Sequence, residues 1–224
     1  MTDKNFKLEE EKKGKERITE EYFHTEMFHV KQSAVEQRFE EQLDSFGIRL
    51  SDMQKKQFLT YYKNLVPWNQ VMNLTAITDM EEVYTKHFVD SLSLIKTFDV
   101  KKNVSLIDVG TGAGFPGLAL KIAYPNMKVT LLDSLNKRIN FLNAVIEKLG
   151  LTGVETVHGR AEEGARNVTY RESLDLCVSR AVLFPFRIDA DNTPFRRFSC
   201  QSSDLEVSAC QSVLPQLHSA HPSR

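Results

Sequence analysis

The run Ile107-Asp-Val-Gly-Thr-Gly-Ala-Gly-Phe-Pro-Gly117 limits the possible folds of this chain more than any other stretch. A short apolar segment, Ser105–Val109, feeds three alternate glycines, Gly110, Gly112 and Gly114. Pro116 then stands where a first helical turn begins, a position that suits its fixed φ. Glycine lets the main chain turn sharply and lets a ligand approach it with no Cβ in the way. Strand, glycine loop and helix in that order belong to an open, doubly wound α/β (Rossmann-like) sheet. Its ligand crevice lies at the carboxyl ends of the strands.

The sequence after the loop keeps the same rhythm. Lys128–Leu132 reads as a second strand ending on Asp133, followed by a helix to about Leu149. Val154–His158 reads as a third strand and Leu174–Val178 as a fourth. Strands alternating with helical patterns predict a parallel sheet with right-handed crossovers.

Ahead of the sheet the pattern is helical. Ser33-Ala-Val-Glu36, Ser51-Asp-Met-Gln54 and Thr78-Asp-Met-Glu81 each fit the reciprocal capping box that opens a helix. Phe58, Tyr61, Tyr62, Leu65 and Val66 then recur at spacings of three and four, as do Val83, Phe88, Leu92 and Ile95. The expected organisation is a charged extension over 1–26, with Met27 as an alternative start, and an N-terminal helical layer over 27–100. The α/β core occupies 101–182 and an atypical tail 183–224. The tail contains no lysine and no sustained period, so no regular structure is expected of it and the sheet is expected to be incomplete at its C-terminal side. The joint loss of lysine and periodicity reads as a change of reading frame.

Composition narrows the class. Hydrophobic residues make up 41% and charged residues 26%, which allows a real core, and a net charge of −1 neither requires nor excludes a nucleic-acid partner. The three cysteines, Cys177, Cys200 and Cys210, have no metal or redox spacing. No stretch approaches the roughly 18 apolar residues of a membrane span, and the Lys- and Glu-rich start lacks a signal-peptide core. The expectation is a cytoplasmic protein without a metal and without a membrane.

Two acids bear on the ligand. Asp108 stands two residues before the first glycine, where a carboxylate repels a pyrophosphate but suits a ligand with a cationic amino acid end. It can equally serve as an acceptor for loop N–H groups. Asp133 can hold both hydroxyls of a ribose, cap the helix that follows, or do both. The Gly112-Ala-Gly-Phe-Pro-Gly117 spacing also satisfies the dinucleotide fingerprint, so an NAD-linked oxidoreductase stands beside an S-adenosylmethionine enzyme. Comparing NADH with S-adenosylmethionine by titration separates the two.

Asp108 to Gly114, with Asp133 at the next strand end, resembles the first two motifs of class I methyltransferases. Six segments in order resemble one family more closely: Asn73-Leu-Thr-Ala-Ile77, His87-Phe-Val-Asp-Ser-Leu92, Asp108 to Gly117, Leu132-Asp-Ser-Leu-Asn-Lys-Arg138, Arg160-Ala-Glu162 and Ser179-Arg-Ala181. It is the bacterial 16S ribosomal RNA guanine-N7 methyltransferase G family, also called glucose-inhibited division protein B. The resemblance covers roughly Val35 to Val182. It implies S-adenosyl-L-methionine as cofactor and ribosomal RNA or the small ribosomal subunit as partner. It places cofactor contacts at Gly110, Phe115, Ala161, Glu162 and Arg180, to which the reading of the glycine loop and strand end adds Gly112 and Asp133. The methyl transfer it implies needs no general base, and no catalytic residue is assigned. A catalytically inactive cofactor-binding remnant of the same family is the alternative, given the tail. His87 and Asp90, three apart on one helical face, are either satisfied within the core or placed at the substrate edge. Lys137 and Arg138, with Lys101 and Lys102, either meet phosphates or form a solvated face.

Overall fold

The structure is a computed structural model that describes residues 30–97, 104–161, 164, 174–180, 196–202 and 205–211. Helix α1 runs over 30–44 and α2 over Asp52–Met72. A short α3, Met80–Val83, passes into a π-helical turn, Tyr84–Val89, then into α4, Asp90–Ser93, and a 3₁₀ turn, Leu94–Thr97. The α/β part follows as β1 Ser105–Val109, α5 Gly117–Ala123, β2 Lys128–Asp133, α6 Asn136–Leu149, β3 Val154–His158 and β4 Leu176–Val178. Strands β5, Arg196–Ser202, and β6, Leu205–Gln211, complete the described elements.

The sheet order is β3-β2-β1-β4-β6-β5. The first four strands are parallel, and the chain changes direction across β1, the doubly wound order expected from the glycine loop. Alternation sorts the two faces. Leu106 of β1 with Val129 and Leu131 of β2 joins the large core beneath α5 and α6, whereas Ile107, Val109 and Leu132 form a smaller cluster on the opposite face.

The N-terminal layer packs on the α5 and α6 side of the sheet. Phe58, Tyr61 and Leu65 of α2 are fully buried there, with Phe39 of α1, Tyr84 and Phe88 in edge-to-face and tilted aromatic contacts. Two glutamines one turn apart fasten the layers. The Gln54 amide donates to the Ile122 and Ala123 carbonyls at the end of α5, and that of Gln57 to the Leu149 carbonyl at the end of α6. Both satisfy carbonyls that a helix C-terminus leaves without intrahelical donors.

Ser51 is the N-cap of α2 with both bonds of the capping box to Gln54. The other two boxes do not form as expected. The chain is already helical at residue 30, so Ser33 lies inside α1. Asp79, not Thr78, caps α3, because its carboxylate takes the N–H groups of both Glu81 and Glu82. The fourth strand begins at Leu176 rather than Leu174, since Asp175 turns its carboxylate onto the Ser105 N–H and hydroxyl.

Strand β6 pairs antiparallel with β4, and β5 with β6, so β4 is flanked on both sides. Leu176 and Val178 of β4 are 3% and 0% exposed and join the large core.

Candidate functional site

The glycine loop occupies the carboxyl end of β1, between β2 and β4. Gly110, Gly112 and Gly114 all have positive φ, at 71°, 61° and 97°. The Gly110 and Thr111 N–H groups donate to the Leu132 carbonyl, tying the loop to the end of β2. A Cβ on Gly114 would lie 2.6 Å from the Tyr61 hydroxyl, and one on Gly117 would lie 2.5 Å from Leu131 and 2.9 Å from Asp108. These two glycines allow helix and strand to approach each other. Gly112 differs: among the described residues a Cβ there meets only the Gly110 carbonyl, at 3.9 Å, so this turn of the loop borders open space between them.

Asp108 is fully buried beneath the loop. Its Oδ2 accepts from the Thr111 hydroxyl at 2.7 Å and the Gly117 N–H at 2.8 Å, the acceptor role that its position allowed. Its Oδ1 is buried without a hydrogen-bond partner among the described residues. Burial pushes this carboxyl up to about 6, against the two hydrogen bonds and the Arg180 charge, which favour the ionised form. A buried carboxylate oxygen with spare capacity, below a loop that borders open space, fits the cationic end of a ligand.

Asp133 ends β2 and is also buried. Its Oδ1 accepts from the Leu135 N–H at 2.9 Å, and its Oδ2 from the Gly112 N–H at 2.9 Å and from Arg138 at 3.3 Å. Asp133 does not cap α6, whose N-cap is Leu135 with no side-chain cap bond; it holds the turn that leads into the helix. A ribose here would share these oxygens with, or displace, the Arg138 guanidinium, whose Nε is itself buried without a partner.

The remaining expected residues distribute as follows. Ala161 is half-buried against the cluster of Ile107, Val109 and Leu132, beside the same strand ends. Glu162, Lys101 and Lys102 lie outside the described residues, and Lys137 is exposed. The Phe115 ring is 3% exposed, stacked between Tyr61 and His87, so it supports the loop from within and only its main chain can face a ligand. Ser179 donates to the Val109 carbonyl at 2.9 Å and so ties the end of β4 to that of β1. Arg180 follows it and is mostly buried. It meets Asp90 at 3.4 Å and His87 at 3.1 Å, with its guanidinium 5.1 Å from the Phe115 ring centre.

Two site residues escaped the sequence reading. Tyr61 was recognised only as a core position, yet its hydroxyl donates to the Ala113 carbonyl within the loop. Thr75 lay in a quoted segment, but nothing in its spacing showed that it binds the His87 ring, at 2.8 Å. Among the described residues there is no cluster of metal-ligating side chains and no helix long and apolar enough to cross a membrane.

A glycine loop on the central parallel strand, with one buried acid beneath it and another at the neighbouring strand end, defines a ligand-binding domain of the doubly wound class. Residues 54–184 match the family model described as rRNA small subunit methyltransferase G, and the chain belongs to that family. It is 59% identical over 140 residues to the ribosomal RNA small subunit methyltransferase G of Lachnoclostridium phytofermentans, covering 62% of this chain and 58% of that one. The protein of the same name from Exiguobacterium sp. is 54% identical over 147 residues, covering 66% and 62%. That of Streptococcus agalactiae is 43% identical over 179 residues, covering 80% and 76%. The chain thus spans about three fifths of the length of the first two relatives. Among solved structures, a protein-L-isoaspartate O-methyltransferase aligns at 17% identity and TM-score 0.45, over 64% of this chain and 47% of that one. TrmN from Thermus thermophilus aligns at 14% and 0.42, over 56% and 48%.

Proposed function

We propose that this chain binds S-adenosyl-L-methionine at the glycine loop and methylates N7 of a guanine in small-subunit (16S) ribosomal RNA. The observation that carries the reading is Asp108: fully buried, with one oxygen unpartnered, under a loop whose Gly112 borders open space. Asp108 and Gly110 receive the methionine end and Asp133 the ribose. The exposed Leu135, just beyond Asp133, offers an apolar surface to the base. Ala161 lines the far side, and Arg180 closes the mouth. NAD is disfavoured because its pyrophosphate would face the Asp108 charge rather than complement it.

The bound group would supply an electrophilic methyl on a sulfonium, which the guanine N7 lone pair takes directly. N7 carries no proton, so the chain need not provide a base. Its residues contribute by positioning and by the electrostatics of the cleft. Sequence-specific RNA recognition usually takes an unpaired base from a loop, and the guanine is expected to be presented in that way.

Calorimetry with S-adenosylmethionine and NADH tests the ligand, with binding of the first alone expected. Reduction and aniline cleavage at N7-methylguanine in ribosomal RNA, from cells with and without the gene, tests the substrate. Identical cleavage patterns would leave the guanine-N7 reading without support, and the inactive remnant would then stand.

A further inference from the structure

The helix before the sheet is π-helical over Tyr84–Val89. Such turns shift the main-chain hydrogen bonds by one residue and recur at functional sites. Here the Asp90 N–H, which an α-helix would direct to the Lys86 carbonyl, donates to the Thr85 and His87 carbonyls instead. The Lys86 carbonyl accepts from Arg180 at 3.4 Å, so the π turn presents a main-chain acceptor to that guanidinium. Asp90 and His87, from the same turn and its exit, supply two more contacts.

The chemistry of the His87 contact is determined by its partner. A guanidinium has donors only, so the His87 Nδ1 facing it must accept. The ring proton therefore sits on Nε2 and is donated to the Thr75 hydroxyl oxygen at 2.8 Å. That oxygen also accepts the Ile77 N–H at 3.1 Å, and the Thr75 N–H is held by the Asn69 side chain at 2.7 Å. Burial and the Arg180 charge push His87 down to about 4, which keeps it neutral and able to accept. Its ring lies parallel to Phe115, with ring centres 4.7 Å apart and an interplanar angle of 21°.

We infer that His87 is a positioning residue for Arg180: its Nδ1 lone pair, oriented by Thr75, holds the guanidinium against Phe115 at the cofactor mouth. This rests on the reading that Arg180 serves the cofactor. Three segments, around Thr75, His87 and the distant Arg180, thereby come together at one side chain.

Four single variants of the full chain and one double variant, measured for S-adenosylmethionine affinity and for melting temperature, test it. His87→Asn places a carbonyl oxygen where Nδ1 stands, whereas His87→Gln keeps a donor for Thr75 and loses that acceptor. His87→Phe keeps only the ring stack, and Arg180→Ala removes the positioned group. Affinity is expected to fall about tenfold in His87→Gln, His87→Phe and Arg180→Ala, the equivalent of one charge-assisted hydrogen bond. His87→Asn should recover it to within about threefold, and His87→Phe should add little in the Arg180→Ala background. If His87→Phe does not fold, the Asn and Gln pair carries the comparison. Wild-type affinity in His87→Gln, or equal losses in His87→Asn and His87→Gln, would overturn the role. The ¹⁵N spectrum of the histidine needs no ligand and separates the two possible failures. A fixed Nε2-protonated His87 that is lost in Arg180→Ala, with unchanged affinity in that variant, means that Arg180 does not serve the cofactor. Mixed tautomers in the wild type mean that His87 does not hold Arg180.

Discussion

The Tyr61 hydroxyl, on α2, donates to the main-chain carbonyl of Ala113 at the centre of the glycine loop. The ring is fully buried and stacks on Phe115 with centres 5.2 Å apart, so one side chain fixes the loop by its edge and its face. The N-terminal layer is therefore part of the site. It sets the height of the loop above the sheet.

Tyr61→Phe keeps the ring and removes the bond, leaving the Ala113 carbonyl without its donor. The expected loss is about 1–3 kcal/mol of stability, read as a lower urea midpoint at unchanged slope. Cofactor affinity should weaken as well, since the loop would no longer be held. An unchanged midpoint would show that water replaces the hydroxyl without cost.

Gly112 and Gly114 are expected to respond differently to alanine. At Gly114 the added Cβ meets Tyr61 and Leu118 at 2.6 and 2.7 Å in a left-handed conformation, so clash and strain combine. Gly114→Ala should cost roughly 2–4 kcal/mol of stability. At Gly112 only the φ of 61° opposes the side chain, for about 1–2 kcal/mol. The new methyl would, however, enter the open space beside the loop. Gly112→Ala should thus lose more affinity than stability, and Gly114→Ala more stability than affinity. The reverse ranking in paired calorimetry and denaturation would place the ligand elsewhere.

The α/β frame was legible because its signals are local. Strand β1 ends against Gly110, β3 lies between Gly153 and Gly159, β2 runs from Lys128 to Asp133, and the loop announces itself by glycine spacing. Tyr61 shows why the site was less so: periodicity places the ring inward, but whose carbonyl the hydroxyl meets depends on how two layers dock. The grouping of Thr75, His87 and Arg180 is likewise tertiary, and a single sequence shows only that each lies in a family-like segment. Thr78 lost its cap role to Asp79 because a neighbouring carboxylate is the stronger acceptor at a positive helix end. In β6, Leu205-Glu-Val-Ser-Ala alternates over too few positions to stand out from its Ser-rich surroundings.

Stability against pH should show two buried groups working in opposition. Asp108 titrates near 6 in the folded chain against an ordinary 3.8. Between those values the native state holds a proton that the unfolded state has lost, so this group lowers stability as pH rises from about 4 to 6. His87 titrates near 4 against an ordinary 6.5. Over that interval the unfolded state holds the extra proton, so this group raises stability as pH rises. The two slopes offset each other across the shared window. Asp108→Asn should therefore make the loss of stability on acidification steeper than in the wild type, and His87→Asn should make it shallower or reverse it. Parallel pH profiles for wild type and both variants would show that neither group titrates as its surroundings imply.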